Sequence, residues 1–370
     1  MKIFYWCPFI GNVATIKAVL NSVDSIKRYS KNSIDPHLIN AVGEWSNKKE
    51  MLKNKKINVI DFYKTNIMNK LPKLGFLKSR LTYFIIFFLT IFKLNKFLKK
   101  NKPKYLVVHL ITFIPLFLFL IFNYETKLIL RISGLPKLNL LRKFFWKVVS
   151  SKIYFITTPT ISTLNLLKAK NIFDGKKLIY LPDPILNISE IDSKIRDKSI
   201  PDTNLSNESS IVSIGRLTKQ KNFGFLIDVF NIIQKKHENL NLFILGDGEE
   251  KKKLDKKIKD FGLSKKIFLV GHKKNVFEYL KNSKIFVLTS LWEDPGFVLL
   301  EAGYSNLTVL SSDCPNGPKE ILDNGNNGYL YHLNSVEDFL LSFEKIITSS
   351  NEDKFKKKIL LKKKCKEFTL

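Results

Sequence analysis

Four side chains in the second half of the chain have types and spacing suited to chemistry: Arg216 and Lys221 in SIGRLTKQKN, and Glu293 and Glu301 in SLWEDPGFVLLEAG. Arg216 and Lys221 follow a predicted strand through the turn residue Gly215 and stand just before a helix. Two cations at such a strand-to-helix mouth suit a diphosphate, because they neutralise its charge while the helix N-terminus adds its dipole. Glu293 falls on the loop after the strand IFVLTS, and Glu301 in about the first turn of a helix that begins near Phe297. Free amides at that helix start can receive phosphates and sugar hydroxyls, while the two carboxylates accept hydrogen bonds from sugar or ribose hydroxyls. Charge stabilisation at a helix start is the plainer reading of Glu301, but it leaves Glu293 unexplained.

Two further positions belong beside these. The strand NLFILGDGEE ends in Gly246, Asp247 and Gly248, where glycines admit close backbone approach and Asp247 is expected to cap the next helix. His109 closes the strand KYLVVHL, and the carboxyl end of a parallel strand faces the ligand crevice of an open α/β sheet. A histidine satisfied inside the core is the competing reading. No Asp-x-Asp element ends a strand ahead of a loop, and Cys7, Cys314 and Cys365 show neither a CxxC spacing nor an even count. Neither a metal site nor a disulfide framework is therefore expected, and a reducing compartment fits.

These residues need rigid strands and helices to hold them. MKIFYWCPF reads as a buried strand, Gly11 and Asn12 as a loop, and Val13 to Tyr29 as a helix, which is the opening of a nucleotide-binding α/β domain. KPKYLVVHL and TKLILRISG read as two further core strands joined by a helix from about Phe113. From Ile211, strands and helices alternate regularly through TVLSSDC, which implies a parallel sheet covered on both faces. The stretch between, rich in Pro, Asp, Asn and Ser, reads as a linker. The expected fold class is α/β with two Rossmann-like domains facing each other across a cleft: 1–185, a linker at 186–209, and 210–370.

The net charge of +29 is unevenly spread, with 35 Lys and Arg against 11 Asp and Glu in residues 1–200. The remaining 170 residues carry 27 against 22. A lysine-rich composition explains the excess but not its place. The uncharged run from Tyr105 to Tyr124 has the nominal length of a membrane span, yet it divides into a strand and a helix of about ten residues, only about 15 Å long. Together with Leu81 to Phe92, a similar apolar run flanked by Arg80 and lysines, it is expected to press into one leaflet of a membrane rather than cross it. The N-terminus lacks the apolar core of a signal peptide, so a cytoplasmic place is expected. Nucleic acid is not an expected partner, because the aromatic residues lie in apolar runs and are not interleaved with the basic ones.

The chain resembles the retaining glycosyltransferases of family 4, which have the GT-B architecture. GRLTKQKN at 215–222, LGDGEEKKKL at 245–254, the pair Glu293 and Glu301, and SSDCPNGPKEILDNGNNGYLY at 311–331 carry the resemblance in the family's order. It is specific over about 211–340 and weaker in the first half. It implies that Arg216 and Lys221 bind a donor diphosphate, that Glu301 binds the nucleotide ribose, and that Glu293 holds hydroxyls of the transferred sugar. The backbone at Gly296, Phe297 and Val298 would meet sugar and phosphate. Gly11 matches a loop glycine that approaches phosphate, although the family's usual paired or triple glycines are reduced here to Gly11-Asn12. His109 matches a histidine close to the donor sugar.

The activity so implied is transfer of a sugar, with retention, from a nucleotide sugar such as a UDP-sugar to a lipid-linked or saccharide acceptor. No cofactor and no metal is implied. The basic, apolar first half would meet the acceptor and an anionic membrane at its cytoplasmic face. Epimerases and hydrolases of nucleotide sugars share the architecture and are the alternative.

Overall fold

The computed structural model describes residues 1–11, 14–31, 33–72, 76–196 and 210–370, in two compact units, 1–185 and 186–369, with Leu370 grouped with the first. Asn12 and Val13 of the expected loop and helix start, and 197–209 of the expected linker, lie outside the described residues.

The strands of the first unit are β1 (Lys2–Trp6), β2 (Asp35–Asn40), β3 (Asn58–Asp61), β4 (Tyr105–Val108), β5 (Lys127–Arg131), β6 (Ile153–Thr158) and β7 (Leu178–Tyr180). Its helices are α1 (Ala14–Tyr29), α2 (Lys49–Asn54), α3 (Phe76–Asn101), α4 (Phe113–Ile121), α5 (Leu140–Val149) and α6 (Ile161–Ala169). The sheet is parallel throughout, in the order β3-β2-β1-β4-β5-β6-β7. Alternation along β1 explains the double cover. Phe4 and Trp6 enter the core shared with α3 and α4, while Ile3, Tyr5 and Cys7 enter the core under α1.

The second unit opens with α7 (Ile188–Arg196), so this part of the stretch expected as a linker is a helix, packed against α10. Its polar face defeats a reading from composition, but Ile191 is buried. The strands are β8 (Ser210–Ile214), β9 (Asn241–Leu245), β10 (Ile267–Gly271), β11 (Ile285–Leu288), β12 (Thr308–Ser312) and β13 (Tyr329–Tyr331). The helices that follow α7 are α8 (Phe223–Ile233), α9 (Lys251–Asp260), α10 (Phe277–Lys281), α11 (Phe297–Tyr304), α12 (Pro318–Ile321), α13 (Val336–Thr348) and α14 (Asn351–Cys365). This sheet is also parallel, in the order β10-β9-β8-β11-β12-β13. α8, α9 and α13 share one core over it, and α14 packs on α11 so closely that a Cβ on Gly303 would lie 2.5 Å from Leu361. Both units are thus Rossmann-like α/β domains, as the alternation implied.

The two apolar runs of the first unit part company. α4 is core: Ile114, Pro115, Leu116, Leu118 and Phe119 are all buried, so it is not pressed into a membrane along its length. Its middle is satisfied by burial, and only its ends, Phe113 and Ile121, are exposed. α3 is half core. Thr82, Ile86, Thr90, Leu94 and Leu98 form a buried stripe at intervals of four, whereas Phe84, Phe88 and Phe92 face outward. By length and composition α3 could cross a membrane over Arg80–Asn101, with mean hydropathy 1.6, but its buried stripe docks it on the sheet.

Candidate functional site

In the second unit the loops at the carboxyl ends of β8, β9, β11 and β12 are locked together by close backbone approach. Gly246, at φ +140°, brings its Cα so near the Gly215 carbonyl that a Cβ would lie 1.8 Å from the oxygen. Gly317, at φ +122°, approaches the Pro295 carbonyl in the same way. These positions admit only glycine. Hydrogen bonds finish the lock: Leu291 N–H donates to Gln220 O (2.8 Å), Gln220 Nε2 to Trp292 O (2.9 Å) and Thr289 Oγ1 to Lys221 O (2.9 Å).

Within that frame Lys221 Nζ donates to Glu293 Oε1 at 2.5 Å, and Ser290 Oγ donates to the same oxygen at 2.5 Å. Both partners of the ion pair are nearly out of water, with side chains 13% and 5% exposed. The stem of Lys221 runs over Gly215, where a Cβ would sit 3.1 Å from its methylenes. Asn316 Nδ2 donates to Glu293 O (3.0 Å), so β12's loop fixes the glutamate's backbone as well. Arg216, one residue past Gly215, is exposed and makes no ion pair among the described residues.

Gly296, at φ +93°, turns the chain from this loop into α11, and a Cβ there would press on Glu293 Cγ at 3.3 Å. The N-cap of α11 is Gly296, which has no side chain to cap the helix, and a helix start of this kind presents its first amides, at Phe297 and Val298, to an incoming anion. Glu301 is the fifth residue of α11 and so lies in its second turn, one turn deeper than expected. Stabilisation of the helix start therefore does not account for it. Asp247 is a second correction. Its carboxylate accepts from Gly248 N–H (2.9 Å) and its carbonyl from Leu217 N–H (2.9 Å), while Glu250 occupies the N-cap of α9. Its work is to tie β9's loop to the one carrying Arg216.

In the first unit, His109 ends β4 with its backbone N–H on Trp6 O (3.0 Å) and its ring stacked on Tyr5, centroids 5.9 Å apart. Burial, and after it the charge of Arg131, lower its pKa from 6.5 to about 3, so the imidazole is neutral at physiological pH. Its Nδ1 is buried without a hydrogen-bond partner among the described residues, as is Nη1 of Arg131. Arg131 ends β5 and donates through Nη2 to Asp183 Oδ1 at 2.6 Å, with both side chains buried. Gly11 is exposed beyond β1, and a Cβ there would meet no atom of the described residues within 4 Å.

The sequence reading thus assembled Arg216, Lys221, Glu293, Gly296, Phe297, Val298 and Glu301 around one set of loops, and placed His109 and Gly11 on the carboxyl edge of the other sheet. It missed Ser290, Asn316 and Asp183. Ser290 was signalled by its place three residues before Glu293 at a strand end. Asp183 was hidden in the polar stretch PDP. Among the described residues no three His, Cys, Asp or Glu side chains gather as a metal would require.

Known proteins resemble the chain in sequence and in fold. The chain is 34% identical over 247 residues to an uncharacterised glycosyltransferase of Methanocaldococcus jannaschii, covering 62% of this chain and 61% of that one. It is 36% identical over 142 residues to the amylovoran biosynthesis glycosyltransferase AmsD of Erwinia amylovora, covering 38% and 39%. An N-acetyl-D-galactosaminyltransferase of Campylobacter jejuni, named for a PP-undecaprenol-linked saccharide, is 28% identical over 46% of each chain. The matched stretch thus spans less than two thirds of these relatives. The fold is that of HepE from Anabaena, solved with UDP and glucose, at TM-score 0.72 and 14% identity over 100% of this chain and 96% of that one. The two Rossmann-like units are accordingly a GT-B fold, and residues 195–360, which hold the locked loops with Arg216, Lys221, Glu293 and Glu301, match the profile of the family described as glycosyl transferases, group 1.

Proposed function

We propose that this protein is a retaining glycosyltransferase of the family 4 type, which takes a sugar from a nucleotide donor, a UDP-sugar, and passes it to a lipid-linked or saccharide acceptor. The observation that carries the proposal is the buried pair of Lys221 and Glu293 beside the uncapped start of α11. Glu293 holds the ammonium of Lys221 with one of its three donor directions and leaves the others for a diphosphate. Arg216 adds a full unmatched charge, and the amides at Phe297 and Val298 add the helix dipole.

As the bond from the sugar to the diphosphate ionises toward an oxocarbenium-like state, these groups take the charge that develops on the leaving oxygen. No metal is called on for that step. Glu301 binds the ribose, Glu293 orients the sugar, and the neutral His109 serves the sugar as an uncharged hydrogen-bonding group. Gly11 gives a phosphate close approach to the chain. The acceptor belongs to the first unit, whose charge suits a peripheral place at the cytoplasmic face of an anionic membrane. UDP bound in HepE and the PP-undecaprenol in the name of the Campylobacter relative support the donor and acceptor classes.

Incubating the protein with a panel of nucleotide sugars and following loss of each donor by mass spectrometry, with and without membrane extract, tests this. Donor consumption that depends on acceptor supports transfer. Conversion of the donor without acceptor, to an epimer or a free sugar, replaces it with the alternative activity.

A further inference from the structure

The outer surface of the first unit is apolar where it should be polar. On α3 the buried stripe includes Thr82 and Thr90, both fully inside, while Phe84, Phe88 and Phe92 stand 66–78% exposed on the opposite face. A helix on a water-soluble sheet shows the reverse arrangement. α5 repeats the pattern, with Leu140, Leu141 and Phe144 72–84% exposed along one face. The two faces are continuous. Phe87 of α3 meets Phe113 at the start of α4 (5.9 Å between centroids), and Phe113 meets Phe145 of α5 (5.0 Å).

Topology places this patch at one edge. α3 connects the carboxyl end of β3 to the amino end of β4, so its first half, with Leu81, Phe84 and Phe88, lies toward the carboxyl edge of the sheet. α4 and α5 begin at that same edge, after His109 and Arg131. The exposed apolar residues therefore collect where the chemistry-bearing strand ends are.

We infer that this face of α3 and α5 seats in the headgroup and upper acyl region of an anionic bilayer, with the His109 edge of the sheet at the lipid surface, so that a lipid-borne acceptor reaches it by moving within the membrane. Charge selects the occupant. Residues 62–173 hold 20 Lys and Arg and a single acidic residue, Glu125. A second copy of the chain would bring the same positive charge against this face, whereas anionic lipid complements it. The buried stripe of α3 leaves only one side for lipid, so the helix lies along the surface. The acceptor clause rests on the reading of the first unit as the acceptor side; the seating does not.

The test is flotation of the full chain with vesicles of phosphatidylcholine containing one third phosphatidylglycerol. Wild type is expected to float and to be released by high salt or by omitting phosphatidylglycerol. L140E/F144E and F84E/F88E should each lower the bound fraction at least tenfold, with unchanged circular dichroism and unchanged UDP affinity. L341E, an exposed leucine of the second unit, should change nothing. Bromine-labelled acyl chains should quench the added fluorescence of F144W and not that of I121W, which sits at the far end of α4. Flotation indifferent to lipid charge, or unchanged in both double variants, overturns the inference. So does equal quenching of the two tryptophans. A lipid-free dimer of wild type that both double variants dissolve, without vesicle binding, gives the face to a second copy instead. UDP affinity is measured in the same preparations, so failure of the donor reading shows separately from failure of the seating.

Discussion

Lys221 and Glu293, 72 residues apart in sequence, meet at 2.5 Å with both side chains largely removed from water. The contact ties β8's loop to β11's loop and fixes the ammonium before any ligand arrives. K221A or E293A alone strands a buried charge and is expected to destabilise the second unit by about 3 kcal/mol. K221A/E293A should cost less than the sum of the singles by about 1–3 kcal/mol. Hydrogen exchange of amides within 210–312 measures both, and strict additivity would deny the coupling.

Gly215 makes the track for the Lys221 stem. G215A pushes methylenes lying 3.1 Å from the new Cβ and should weaken UDP binding roughly tenfold, about 1.4 kcal/mol, while the fold persists. G296A is the harsher change, because it combines φ +93° with pressure on Glu293, and should cost about 1–3 kcal/mol in stability. Isothermal calorimetry and thermal melts separate the two effects. Equal loss of stability in both would show that Gly215 is only structural.

Arg216 has exposure and no ion pair among the described residues, so its removal should leave stability within about 0.5 kcal/mol. R216A is nonetheless expected to weaken UDP binding about tenfold or more, and to reduce the dependence of that binding on salt. Titrations at low and high ionic strength check this. A stable variant with wild-type affinity would remove Arg216 from the site.

Two buried groups of the first unit give opposing pH dependences. His109 titrates at about 3 when folded against 6.5 ordinarily, so its contribution to stability is present above 6.5 and is lost as pH falls below it. Glu44, which accepts from Ala41 N–H (2.9 Å) and Val42 N–H (2.8 Å), is raised by burial to about 7 from 4.5. Its contribution is present below 4.5 and is lost as pH rises through 7. Between these limits each slope is at most about 1.4 kcal/mol per pH unit, and they offset. H109N should expose a stability that falls as pH rises from 4.5 to 7, and E44Q one that falls as pH drops below 6.5. Hydrogen exchange within 1–185 across that range tests both signs. Profiles unchanged from wild type would contradict the environments of both groups.

Much of this was legible in the sequence because it is local. The alternation of apolar runs with turns defined both sheets, and GRLTKQKN and WEDPGFVLLE mark loops at strand ends, where side chains face a ligand. What stayed hidden depends on tertiary contact. Nothing in the string pairs Lys221 with Glu293, or Arg131 with Asp183, across 72 and 52 residues. α7 was masked by a polar face, and the depth of Glu301 turned on one helix turn. The run 81–92 of α3 and the helix α4 are both apolar all round, so periodicity could not tell the helix buried through its middle from the one that shows phenylalanines outward and threonines inward.

In the proposed function the locked loops of the second unit hold a nucleotide sugar through two glutamates with separate tasks. The most direct measurement of this is donor consumption, in the presence of acceptor membranes, by wild type, E293A and E301A. Wild type should consume a nucleotide sugar. E301A should raise the donor KM through the lost ribose contact, and E293A should lower kcat through the misplaced sugar and loosened Lys221. Full activity in both variants would contradict the site, and no consumption of any donor by wild type would contradict the function.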